Sequence, residues 1–295
     1  MVVGQGDGRH AERLAIGDRA VGWAYYGDPS GVPVVAVHGS PDSHVIWKLL
    51  DAKARHAGVR LIAIDRPGFG LSDPQPARTV LDWPDDVAAV LDHIDVDRAG
   101  LLAISGGAAY ACATAWRLPE RVTGLGLFSV IGPLGDPHAT NGVNAQVRLT
   151  YAMARRTPWL LRPIVSSLAR NARRAPERAL RRLERTRPPE DREVIARPEV
   201  RAVLLENLPN QFRDPTSVMH EFQLAVRPWG VPLDQLRVPT HIWQGGRDNV
   251  HTERMARDLA QRIPHAVLEI ESTFATFTYL DHLEPILATI AAWRG

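Results

Sequence analysis

From residue 32 to residue 130 the chain alternates two apolar patterns. Short continuous runs, VPVVAVHG (32–39), VRLIAIDRPG (59–68), AGLLAIS (99–105) and VTGLGLFSV (122–130), suit strands buried on both faces. Between them lie stretches with helical spacing: residues 43–57, then 84–95 with Val87, Val90, Leu91 and Ile94 on one face, then the small-residue run GGAAYACATAWRL (106–118). Upstream, RLAIGD and AVGWAYYGD predict a hairpin turning at Gly-Asp. Strand–helix alternation of this kind predicts a parallel sheet covered by helices.

After about Ile131 the pattern changes. Residues 132–235 have helical stretches, many Arg and Pro, and no clear strand. Alternation resumes with THIWQGGRD (240–248), TERMARDLAQRI (252–263), AVLEIES (266–272) and LEPILATIAAWR (283–294). The expected organisation is therefore a core of residues 1–131 and 236–295 with a helical insertion at 132–235, far longer than an ordinary loop.

Composition narrows the function classes. The 295 residues are 45% apolar, enough for one large core. A net charge of +2 argues against a nucleic-acid partner. The Arg-rich stretch RRAPERALRRLERTRPPEDRE (173–193) carries interspersed Glu177, Glu184, Glu190, Asp191 and Glu193, and reads as a solvated, salt-bridged helix face. One cysteine, Cys112, fits a reducing compartment, and the opening residues hold no apolar run for a signal peptide or anchor. Expectations are a cytoplasmic protein, no membrane partner, no cofactor and no metal site.

Candidate chemistry sits where strands end, since open parallel sheets place ligands at their carboxyl ends. AISGG (103–107) puts Ser105 between a strand and a helix with small residues around it, the G-x-S-x-G elbow with Ala103 for the first Gly. HGSPDSHVIW (38–47) allows the backbone to turn beneath Ser105, and the N–H groups of Ser40 and Gly106 would form an oxyanion hole. His38 reads as a loop brace. DRPGFGLSD (65–73) closes the next strand in a tight turn.

Taken together, these motifs resemble the α/β-hydrolase fold, in its serine-nucleophile branch with a helical cap. The resemblance runs from VHGSP through DRPGFGLSD, AISGG and GGRD to the last helix. It implies an eight-stranded, mostly parallel sheet with a helical cap, and nucleophile, acid and base in that chain order. Ser105 takes the nucleophile position, where related dehalogenases and epoxide hydrolases carry Asp. Asp248 takes the acid position, with Asp136 as the alternative.

The base is missing from its usual place. The loop after the last strand reads ESTFATFTYLDH, which puts Ala275, or else Thr276, where the family has histidine. Two other histidines come into question as substitutes, His282 ahead of His251. Without a proton acceptor Ser Oγ is a poor nucleophile. The expectation is thus a serine hydrolase of an ester, lactone or similarly activated carbonyl, inactivated by a His-to-Ala change. The alternative is a natural non-hydrolytic member of the fold, a ligand binder or a lyase or cyclase. Tyr151, Met153, Trp159, Leu160, Leu161, Phe212, Met219, Phe222 and Trp229 are expected to roof an apolar pocket for a medium-sized small molecule.

Overall fold

A computed structural model describes residues 11–134 and 137–293, without the side chains of 137 and 138. The continuous apolar runs form the inner strands of an eight-stranded sheet. The strands are β1 (Ala11–Ile16), β2 (Arg19–Gly27), β3 (Val32–Val37), β4 (Val59–Ile64), β5 (Ala99–Ser105), β6 (Val122–Val130), β7 (Thr240–Gly245) and β8 (Val267–Glu271). Their order is β1-β2-β4-β3-β5-β6-β7-β8. The predicted hairpin pairs β1 and β2 antiparallel, and β2 also meets β4 antiparallel; all other pairs are parallel.

The sheet is covered on both faces. Core residues of β3, β4 and β5 divide by alternation, as period-two side chains must. Val35, Val37, Ile62, Ile64, Leu101 and Ala103 pack with α2 (Trp83–His93) and α3 (Gly107–Arg117). Val34, Ala36, Leu61, Ala63 and Leu102 pack on the other side with Trp47, Ala54 of α1 (Asp51–His56) and Ile286 and Ile290 of α11 (Leu283–Ala291). The helical stretch predicted at 43–57 splits into a 3-10 segment, His44–Leu50, and α1, with Ser43 capping the 3-10 start. The helix α10 (Glu253–Arg262) joins β7 to β8.

Between β6 and β7 the chain makes α4 (Ala145–Arg156), α5 (Pro158–Arg174), α6 (Pro176–Glu184), α7 (Pro189–Ile195), α8 (Pro198–Gln211) and α9 (Pro215–Ala225). Five of the six have proline at their first or second position, where a missing N–H costs nothing and the fixed φ suits a helix start. This insertion lies over the carboxyl ends of the strands. Together they enclose a cavity of about 970 Å³ with Ser105 in its wall. No helix among the described residues is long and apolar enough to cross a membrane.

Candidate active site

Ser105 is the last residue of β5, and its backbone is left-handed, with φ of 56°. A non-glycine residue there is strained, and such strain is held only where the surroundings over-determine it. Here the surroundings are tight. A Cβ on Gly107 would come within 2.5 Å of Val37 O and 2.7 Å of His38 O, so only glycine lets α3 begin this close to β3. A Cβ on Gly106 would come within 2.7 Å of Ser40 Oγ, and one on Gly39 within 3.5 Å of Ser105 Oγ. The backbone of residues 39–40 and the start of α3 therefore converge beside the hydroxyl.

That convergence is braced from below. His38 donates Nδ1–H to Gly39 O at 2.9 Å and accepts from Arg66 N at Nε2, 3.0 Å away. Burial, with Arg66 nearby, pushes its imidazole down to about 3, so the ring is neutral at physiological pH and acts as the loop brace the sequence suggested. The buried Arg66 guanidinium reaches Gly39 O, Ser40 Oγ and Glu221 of α9. Glu221 also takes Arg78, the Tyr110 hydroxyl at 2.6 Å and Ser40 Oγ at 2.9 Å. Burial alone would raise the Glu221 carboxyl, but the two guanidiniums and the hydroxyls hold it at about 2. Nothing in the spacing of residues 66, 78, 110 and 221 signals this cluster, because four separate elements supply it.

The imidazole on Ser105 belongs to His251. Its Nε2 lies 2.9 Å from Ser105 Oγ, and its Nδ1 lies 2.8 Å from Asp248 Oδ2. The bond to the carboxylate assigns the proton to Nδ1 and leaves Nε2 as acceptor for the hydroxyl. The expectation that no imidazole stands beside Ser105 is thus corrected: one lies within hydrogen-bond reach of its hydroxyl. Of the two histidines in question, His251 is the one that the fold places between Asp248 and Ser105. His282 instead is exposed at the start of α11 and stacks on Phe274, with ring centroids 4.3 Å apart.

One carboxylate explains how acid and base fit in one loop. Asp248 Oδ1 accepts from Val250 N at 2.8 Å and His251 N at 2.9 Å, which folds the chain back and aims His251 at Oδ2 of the same group. Gln244, fully buried in β7, then holds His251 O through Nε2 at 2.7 Å. Burial would raise the Asp248 carboxyl; the His251 imidazole and backbone N–H and the Thr276 hydroxyl hold it at about 2. Asp136, the alternative acid, lies outside the described residues.

At the usual base position the structure separates the two residues offered. The Ala275 side chain is fully buried, and its N–H bonds Thr278 Oγ1 at 2.7 Å. Thr276 faces the cavity, and its hydroxyl donates to Asp248 Oδ2 at 2.6 Å. Arg187, from the turn between α6 and α7, donates to Thr276 Oγ1 at 3.2 Å. An Asp-x-x-His spacing inside one strand-end loop was the signal available for His251; Thr276 had none beyond its place in the chain.

Of the expected roof residues, Tyr151, Met153, Leu161, Phe212 and Phe222 line the cavity. Met219 packs against the cluster of Phe69, Ala154, Leu161, Val165 and Val218, Trp229 joins the sheet core, and Trp159 and Leu160 point to solvent. Asp42 also lines the cavity; burial pushes its carboxyl up to about 7 against the pull of Asn207 and Ser43 N–H. The core-side walls are largely apolar, with Trp47, Leu50 and Phe128, while Arg178, Arg181, Arg182 and Arg185 line the cavity from the insertion.

The solved structures similar to this chain include a hydrolase from Pseudomonas aeruginosa PA01, with TM-score 0.71 and 16% identity over 96% of this chain and 97% of that one. An enol-lactonase from Burkholderia xenovorans LB400 gives TM-score 0.63 and 17% identity, covering 96% and 99%. Among curated relatives, the acetyltransferase component of the acetoin cleaving system of Pseudomonas putida is 36% identical over 47% of this chain and 36% of its own length. Epoxide hydrolase B of Mycobacterium tuberculosis is 34% identical over 39% of this chain and 32% of its own. The matches thus span about a third of the length of these curated relatives. The elbow at Ser105, the strand order and a match to the alpha/beta hydrolase fold family over residues 32–283 agree, and the chain belongs to that family.

Proposed function

We propose that the protein is a working serine hydrolase acting on an ester, lactone or similarly activated carbonyl of an apolar small molecule. Ser105 is its nucleophile, His251 its general base and Asp248 the acid that orients the base. The observation that carries this reading is the unbroken line from Ser105 Oγ to His251 Nε2 and from Nδ1 to Asp248 Oδ2. The non-hydrolytic alternative rested on an absent imidazole, and this line supports the hydrolytic reading in its place.

In this mechanism Ser105 Oγ attacks the carbonyl carbon while its proton passes to Nε2. Negative charge develops on the carbonyl oxygen, where the N–H groups of Ser40 and Gly106 receive it. Collapse expels the alcohol, protonated by His251, and leaves an acyl-Ser105. Water, deprotonated by the same Nε2, releases the acid. Asp248, held ionised, keeps Nδ1 protonated throughout. The helical insertion serves as a cap whose apolar lining selects the substrate, and the cavity of about 970 Å³ suits a ligand of drug-like size or somewhat larger.

The test is turnover of activated esters of graded acyl length, together with labelling by a fluorophosphonate and intact-mass analysis. Saturable hydrolysis and a single adduct, both lost in Ser105→Ala, are expected. No turnover and no adduct in the native chain would sink the reading, as would undiminished turnover in Ser105→Ala.

A further inference from the structure

The net charge of +2 conceals a strong segregation. Residues 145–185, covering α4, α5 and α6, contain eleven arginines against two glutamates, so the rest of the chain is net acidic. All eleven arginines are exposed. For the six of them within 173–193 the sequence suggests a salt-bridged face with the interspersed acids, and the structure differs. Glu177 and Glu184 both turn to Arg201 of α8, Glu190 pairs with Arg247, and Asp191 is buried on Phe277 N. Among the described residues only Arg181 of the eleven has an ion pair, to Glu177 at 3.5 Å.

The same helices expose what globular surfaces usually bury. Of the five large apolar side chains most exposed among the described residues, four are here: Trp159 at 69%, Leu149 at 60%, Ile164 at 45% and Leu160 at 38%. The helix α5 buries Leu161, Val165, Ala169 and Ala172 as one stripe at helical spacing. Its outward face therefore carries Trp159, Leu160 and Ile164 toward the N-terminus and Arg170 and Arg174 toward the C-terminus. Leu149 and Ile164 also line the cavity, as do Arg178, Arg181, Arg182 and Arg185. The cavity thus opens through this face.

We propose that the outer face of α4–α6 docks on anionic lipid bilayers. Unpaired arginines are drawn to a negatively charged leaflet, and exposed Trp and Leu side chains gain by entering the headgroup boundary. A nucleic acid would use the arginines alone and leave the apolar cluster in water. A bilayer uses both, and it places the cavity mouth where an amphiphile could pass from lipid to protein. The docking holds whether or not Ser105 is a nucleophile.

Cosedimentation with phosphatidylglycerol-containing vesicles and with pure phosphatidylcholine vesicles, at low and high salt, tests the proposal. Binding to the anionic vesicles alone, weakened by salt, is expected. Neutralising Arg156, Arg170 and Arg174 together to Gln should weaken it by about a hundredfold, at roughly fivefold per arginine. Trp159→Ser with Leu160→Ser should weaken it by about tenfold and remove the blue shift of Trp fluorescence on vesicle addition. Circular dichroism and thermal melting verify that both variants fold. Failure to bind anionic vesicles overturns the proposal, as does equal binding to neutral ones. So does binding that needs the arginines, ignores Trp159 and Leu160, and is competed equally by duplex DNA, since that pattern marks a general polyanion site.

Discussion

Two loops at the carboxyl ends of neighbouring strands touch one carboxylate and bring it different things. The loop after β7 supplies Asp248 itself and, three residues later, the imidazole that spans to Ser105. The loop after β8, where the family keeps its histidine, supplies a threonine hydroxyl to the same Oδ2 and buries the neighbouring Ala275. They are closed against each other by Gly246 N to Glu271 O and Arg247 N to Phe274 O, both at 2.8 Å. A Cβ on Gly245 would sit 2.4 Å from Phe274 O, so the approach depends on glycine. The contrast teaches that the imidazole beside a serine is set by which loop can reach it, and on the proposed reading these two loops have exchanged the task of supplying the base.

The sharpest way to break the comparison is to remove the imidazole. His251→Ala should lower kcat by about 10⁶-fold and match Ser105→Ala, because residues of such a unit act together. An activated ester should then leave a long-lived adduct on Ser105, since the water step has lost its base. If His251→Ala keeps most of the activity in steady-state assays, the base lies elsewhere. Next in size is Asp248→Asn, expected to cost about 10⁴-fold in kcat with little change in KM, because the amide no longer holds Nδ1 protonated. An unchanged kcat would separate the acid from the base.

Thr276→Val tests whether the β8 loop contributes anything. Losing a hydrogen bond to a charged group should lower kcat by about tenfold, and Thr276→Ser should restore it. The pH response gives a second readout. Asp248 is held at about 2, below its ordinary value near 4, so its ionised form stabilises the fold above that ordinary value. This stability is lost as pH falls through the window down to about 2. Without the Thr276 hydroxyl the carboxyl titrates higher, so acid melting of Thr276→Val should begin at higher pH than in the native protein. Identical melting curves would show that the hydroxyl does nothing for the carboxylate. The smallest effect is expected from Ala275→His. A side chain forced into a filled space costs about 1–3 kcal/mol, read as a lower Tm, and turnover should not rise. A tenfold gain would restore the missing-base account.

How far the sequence reveals this arrangement depends on the kind of signal each part leaves. The strands are legible because burial on both faces writes continuous apolar runs such as VPVVAV, and Ser105 because an elbow needs small neighbours. Asp248 is legible as the polar end of such a run. The His251 contact is different: it depends on Asp248 Oδ1 drawing two backbone N–H groups back toward itself, and hydrogen bonding inside one loop leaves no periodicity. The arginine-rich helices misled for a related reason. Interspersed glutamates predict ion pairs along one helix, but α8 approaches closely enough for Arg201 to take both of them.

On the proposed reading, acid and base occupy residues 248–251, a span of four positions folded by bonds to Asp248 and tied to Gln244 of β7. Such a cassette is portable: its relative geometry does not depend on how a second segment, almost thirty residues downstream, is aligned. Lengthening or rewriting the tip of the β8 loop would then alter the supply of one hydroxyl and leave the proton path whole. The last strand of the sheet is released to diverge, and its burden passes to a single turn.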